Sequence, residues 1–223
     1  MKISVIIPVL NEADNLGAAI RAIGGRAHEV VVVDGGSADA SVRAARALGA
    51  RVLGTQRGRG LQMDAGAAVA TGDALLFLHA DTLLPPGWDE SVRGALARPG
   101  TVAGAFRLSI ASGRPWFRLV ERAVLLRCLL LGLVYGDQAL FVGRDAFMAA
   151  GGFDKLPLME DVDCVKRLRC AGRVVLVKER VSTSARRWER RGALAGSLRN
   201  IVLLCLYRLG VSPRRLYGWY YGA

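Results

Sequence analysis

The chain has 223 residues, 52% of them hydrophobic, and carries 31 Lys and Arg against 19 Asp and Glu, a formal charge of +12. That length and apolar content suit one large domain with a sizeable core, and no apolar run reaches the roughly 20 residues of a clean membrane span. The basic balance suits an anionic partner: phosphates, nucleic acid or an acidic membrane surface.

Along the chain, MKISVIIPVLNE lacks the layout of a signal peptide, and its ISVIIPVL segment reads as a first strand. Apolar residues at helical spacing follow from Asn11 to Ile23. EVVVVDGG is a continuous apolar strand ending in Asp34 and glycines. ADASVRAARALG predicts an amphipathic helix closed by Gly49, ARVLGT a third strand, GLQMDAGAAVATG a helix of small residues and DALLFLHAD a fourth strand. Continuous apolar strands joined by helices imply a mostly parallel sheet with helices on both faces. In such sheets ligands bind beyond the carboxyl ends of the strands. Asn11, Glu12, Asp34, His79 and Asp81 all fall at such ends.

The second half is less regular. TVAGAFRLSI alternates as a strand does, and Trp116 to Gly132 reads as a long apolar helix. ALFVGR predicts a strand and RDAFMAAGGF a short helix. EDVDCVKRLRCAG predicts a helix whose acidic first turn and basic last turn match its dipole. RVVLVKERVSTS predicts the final strand, and the sequence after Ala185 is Arg-rich and helical. Ala123–Tyr135 and Asn200–Gly210 are apolar but short, which suits buried or interfacial helices. The simplest plan is one domain over 1–185 and a helical appendage over 186–223. Cys128, Cys164, Cys170 and Cys205 form no C-x-x-C pair and have no His nearby. That argues against a disulfide framework and a zinc site and favours free thiols in a reducing, cytoplasmic setting.

Four segments, VIIPVLNE, VVVDGGSAD, GLQMDAGAAVATGDALLFLHADT and AAGGFD…MEDVDCVKRLRCAG, stand in the order and spacing of glycosyltransferase family 2, which the chain resembles over roughly residues 2–180. The resemblance implies the Rossmann-like GT-A fold, a UDP- or GDP-linked sugar donor and a divalent cation, Mn2+ or Mg2+. It assigns Asp34 to the base, with Pro8, Asn11 and Glu12 beside it. Arg57 and Arg59, flanked by glycines ahead of a helix, suit a diphosphate. Asp64, which the resemblance places among the donor contacts, stands where many relatives carry Asn. His79-Ala80-Asp81 replaces an Asp-x-Asp motif: Asp81 keeps the metal position, while His79 is a metal ligand, a ribose or phosphate contact, or a buried structural histidine. Asp161, with Glu160 as the second candidate, is the expected base that takes the acceptor proton. Direct displacement with one base implies inversion. Asp137 and Gln138 are expected on the acceptor side, as are Arg187 and Trp188, the remnant of a Q-x-x-R-W motif.

A hydroxyl is the expected acceptor, with a lipid-linked phosphate as the alternative. The Arg-rich tail suits the inner face of an anionic membrane, closure over the diphosphate, or a homodimer contact. Two other functions compete. A sugar-phosphate nucleotidyltransferase wants a glycine-rich loop directly after the first strand, where PVLNEADN has no glycine. A non-catalytic basic protein on nucleic acid or membrane fits the charge alone, and carboxylates gathered at strand ends would repel its phosphates. No nucleic-acid partner is expected.

Overall fold

A computed structural model of the chain describes residues 1–132, 134–153, 156, 158–186, 199, 202–207 and 209–221. The first half alternates strand and helix: β1 (Ile3–Val9), α1 (Ala13–Ile23), β2 (Glu29–Asp34), α2 (Ser41–Ala47), β3 (Arg51–Gly54), α3 (Arg59–Val69) and β4 (Ala74–Phe77). Then come β5 (Thr82–Leu83), α4 (Trp88–Leu96), β6 (Thr101–Ala111), α5 (Trp116–Leu131), a 3-10 turn at Gly136–Gln138, β7 (Phe141–Gly143), α6 (Arg144–Ala149), α7 (Glu160–Ala171) and β8 (Arg173–Ser184). A helix over Pro213–Tyr221 closes the described residues.

The strands form one eight-stranded sheet in the order β3-β2-β1-β4-β7-β6-β8-β5. Strands β1 to β4 are mutually parallel, β7 runs antiparallel between β4 and β6, and β8 is parallel to β6. The mostly parallel sheet is therefore correct, with β5 and β7 as its antiparallel members. Period-two side-chain alternation sorts the core onto two faces. Ile3, Val5, Ile7 and Val9 pack with α1, α2, α4 and α5, while Ile6, Val31 and Val33 pack with α3, α6 and α7.

The small residues of α3 have a packing reason. A Cβ on Gly66 would sit 2.4 Å from Ile6 Cγ2, so only glycine lets α3 lie this close to β1. Two elements were not legible. The strand DALLFLHAD ends at Phe77, because His79–Asp81 turn and Thr82 N–H donates to the His79 carbonyl (3.1 Å). The next two residues re-enter the sheet as β5, too short for any periodicity to show. Helix α4 hides its apolar face in three residues, Trp88, Val92 and Ala95, of which Trp88 is fully buried and donates Nε1–H to the Ile23 carbonyl.

All four cysteines are free, and burial pushes the Cys164 thiol up to about 12. No helix among the described residues is long and apolar enough to cross a membrane. The described C-terminal residues pack rather than dangle: Leu203, Leu204 and Leu216 are buried, and the Tyr207 hydroxyl donates to Asp163 of α7 (3.4 Å).

Candidate active site

The carboxyl ends of β1, β2 and β4 meet at one edge of the sheet. At β2, Asp34 is buried and its carboxylate accepts the N–H groups of Gly36 (3.0 Å) and Ser37 (3.0 Å). It shapes the GGS turn and does not cap α2, whose first residue follows Ala40 with no side-chain cap. The turn after β1 is tied to it. Asn11, at φ +55, donates its N–H to Ser37 Oγ (2.9 Å) and accepts the Ala38 N–H on Oδ1 (2.8 Å). Asp39 reaches back to accept the Ala13 N–H; the Ser41 hydroxyl, then that amide, hold its carboxyl below the ordinary value. Pro8 is half-buried in β1 opposite Val33. Glu12 accepts from Asn15 Nδ2 (2.6 Å) and from Arg186 (3.0 Å), which anchors the start of the tail over this turn.

A buried residue not singled out from sequence locks these strand ends together. Gln62 of α3 donates Nε2–H bonds to both Val9 and Val33 carbonyls, each at 2.8 Å. Its amide packs against Gly35, whose missing side chain makes the room. A Gln in a small-residue helix carries no sequence signal of this task; only the facing strand ends reveal it.

The second cluster lies around Gly136. Its N–H donates to Asp161 Oδ2 (2.7 Å), and a Cβ there would lie 3.3 Å from both that oxygen and His79 Nε2. His79 is 7% exposed, and its Nε2 and Asp161 Oδ2 both border Gly136, while Asp81 is half-buried. Glu160 and Asp161 open α7, 2% and 7% exposed. Arg59, the first residue of α3, forms an ion pair with Glu160 and lies 3.9 Å from Asp161. Tyr135 stands beside them with its phenol pushed up to about 12 by burial, so it stays protonated and is no base.

The expected site residues thus divide. His79, Arg59, Glu160 and Asp161 converge, with Asp137 in the adjoining turn. Arg57 is exposed ahead of α3. Asp64 accepts the Phe153 N–H (2.8 Å) and pins the loop before α7. Gln138 is buried, accepting from Arg127 (3.1 Å) and donating to the Phe106 carbonyl (3.1 Å), and so ties the 3-10 turn to α5 and β6. Asp163 pairs with Arg167 within α7. Arg187 and Trp188 lie outside the described residues.

The profile of glycosyl transferase family 2 matches residues 4–151, from β1 to just past α6. The chain belongs to this family. Its family 2 fold is shared with the crystal structure of S. aureus TarS 1–349 (TM-score 0.68, 16% identity, covering 83% of this chain and 61% of that one). It is shared too with glucosyl-3-phosphoglycerate synthase from Mycobacterium tuberculosis in complex with phosphoglyceric acid (TM-score 0.65, 24% identity, covering 94% and 80%). Among curated family relatives, undecaprenyl-phosphate 4-deoxy-4-formamido-L-arabinose transferase of Klebsiella pneumoniae subsp. pneumoniae is 38% identical over 99 residues, 38% of this chain and 30% of the relative. Glucosyl-3-phosphoglycerate synthase of Mycolicibacterium smegmatis is 32% identical over 96 residues, 37% of this chain and 32% of the relative. The chain spans less than a third of either relative's length.

Proposed function

We propose that this chain transfers a sugar from a nucleotide-diphosphate donor to an acceptor hydroxyl or lipid phosphate, with inversion. The observation that carries the reading is the meeting, in a family 2 chain, of the His79–Asp81 turn with the acid pair Glu160–Asp161 around Gly136. Asp34 keeps lone pairs beyond its bonds to Gly36 and Ser37, enough to accept a ring N–H of uracil or guanine. The α3 N-terminus has no side-chain cap, and with Arg57 and Arg59 it suits a diphosphate.

The donor set fits a divalent cation shared with that diphosphate. No group of three His, Cys, Asp or Glu among the described residues encloses an ion. Mg2+ and similar cations are commonly held by one or two carboxylates and completed by substrate phosphates and water. Asp81 would hold the cation, with His79 as the second candidate. A bound cation would neutralise the diphosphate leaving group. The M. tuberculosis synthase has been crystallised with Mn2+, UDP-glucose and phosphoglyceric acid, which supports this reading.

Arg59 links donor and base. In the free chain it neutralises Glu160 and flanks Asp161. A diphosphate at α3 competes for the same guanidinium and frees the acid pair as the acceptor arrives. Asp161 then takes the acceptor proton while Gly136 N–H holds the carboxylate in place. The Klebsiella relative's name supports a lipid-phosphate acceptor, the mycobacterial one a soluble acceptor. For the lipid case the chain works at the inner membrane face.

A thermal-shift screen of UDP- and GDP-sugars with and without Mn2+ tests the reading. One donor should raise Tm only with Mn2+, since a ligand at about 100 times its Kd adds about 2.7 kcal/mol. Asp81→Ala should remove the Mn2+-dependent part. Unchanged Mn2+-dependent nucleotide affinity in that variant would overturn the assignment.

A further inference from the structure

Helix α5 buries Phe117, Val120, Glu121 and Cys128. Its opposite side carries Leu119 (64% exposed), Leu126 (56%) and Leu130 (72%), spaced by seven and then four residues, with Leu129 (64%) beside them. Residues at that spacing share one helix face. A row of leucines held in water marks a docking surface.

The charge beside the row names what docks. Arg118 and Arg122 line one flank of the helix, and Arg180 of β8 joins them around a pocket of about 210 Å³. The acidic residue in that lining, Glu121, is 5% exposed, accepts from Arg118 and the Ile110 N–H, and lies 3.7 Å from Arg180, so one carboxylate faces three guanidinium groups. Arg122 makes no ion pair among the described residues. An apolar row flanked by cations is the pattern of a helix lying in the plane of an anionic bilayer. At 16 residues α5 is about 24 Å long, short of crossing one.

We infer that α5 docks the chain onto an anionic membrane, its leucines entering the lipid interface and its arginine pocket holding lipid phosphates. The helix ends at Gly132 (φ +61), and Gly136, four residues on, holds Asp161. Docking through α5 would place the turn that holds Asp161 just beyond the end of the docked helix. The docking surface stands on α5 alone; only its use in delivering a lipid acceptor rests on the transferase reading.

The test is flotation of the full chain with vesicles of phosphatidylcholine, alone or mixed with phosphatidylglycerol. The wild type should float with the mixed vesicles only, and less as salt rises. Leu126→Glu combined with Leu130→Glu should cut partitioning roughly tenfold or more, and Arg122→Glu should weaken it, with Tm unchanged because these side chains face water. Three results overturn the inference: no binding to anionic vesicles, equal binding by the leucine variant, or a wild-type dimer that the leucine variant makes monomeric without any vesicle binding. Donor-induced Tm shifts in the same samples separate the two readings. Vesicle binding without any donor response leaves the docking and removes the transferase; donor response without vesicle binding does the reverse.

Discussion

Among the described residues three other than glycine have positive φ, and all frame the candidate site: Asn11 (+55), Ala139 (+48) and Met159 (+70). The left-handed region costs an L-residue about 1–2 kcal/mol, least for Asn. Met159 immediately precedes Glu160, so the strain sits where the chain must aim the acid pair into a buried corner. Asp161→Asn should lower transfer to a hydroxyl acceptor by roughly 10²–10⁴-fold, the usual loss for a general base, with donor affinity nearly kept. Steady-state kinetics beside a donor titration reads both. Full transfer in that variant would pass the role to Glu160. A much smaller loss with a polyprenyl phosphate than with a hydroxyl would identify an acceptor that arrives already ionised. His79→Asp would set a third carboxylate beside Glu160 and Asp161, where like charges repel. The imidazole at the first motif position therefore makes sense next to this acid pair.

At the scale of elements, the strand ends hold together through α3. Gln62→Leu would strip two buried strand carbonyls of their shared donor, at a cost of about 1–3 kcal/mol. Urea unfolding should show that loss, together with weaker nucleotide binding because the GGS turn rests on the same amide. The opposite edge of the sheet has a pH response. Burial works to raise the Glu29 carboxyl, but the Thr71 N–H and the Ser4 and Thr71 hydroxyls outweigh it and hold it below its ordinary value. The folded chain then binds fewer protons than the unfolded one just below that ordinary value. The resulting stability is present above the unfolded pKa and lost as pH falls through the folded one. Glu29→Gln should flatten the acid limb of a Tm-against-pH curve and leave the alkaline limb alone.

For the molecule as a whole, the β-α-β-α order and the ligand edge were legible because apolar runs and helical spacing are local signals. The second half was less so. β7 enters antiparallel between β4 and β6, a pairing set by residues far apart in sequence. The site shows the same split. Asp34, His79 and Asp81 stand at strand ends that the hydrophobic pattern marks. Asp64 and Gln138 also bond to Phe153 and Phe106, partners no local pattern reveals. The family profile ends at residue 151, so the acid pair at 160 and 161 is tied to the site by Arg59 and Gly136, contacts that only the fold supplies.

The place of β8 has a consequence for how the chain acquires its site. β8 lies between β6 and β5, and its Thr183 hydroxyl meets that of Thr82 across 101 positions of sequence. Its Ser184 N–H also donates to the Asp81 carbonyl (3.0 Å). Pairings this distant carry a large loop-closure cost and form late. The β1–β4 half can assemble as soon as it leaves the ribosome, but the Asp81 turn gains its bond to Ser184 only once β8 arrives. In pulse-labelled hydrogen exchange during refolding, the amides of β1 and β2 should gain protection before that of Ser184. A chain caught partway would present the Asp34 turn with the Asp81 turn not yet clamped by β8.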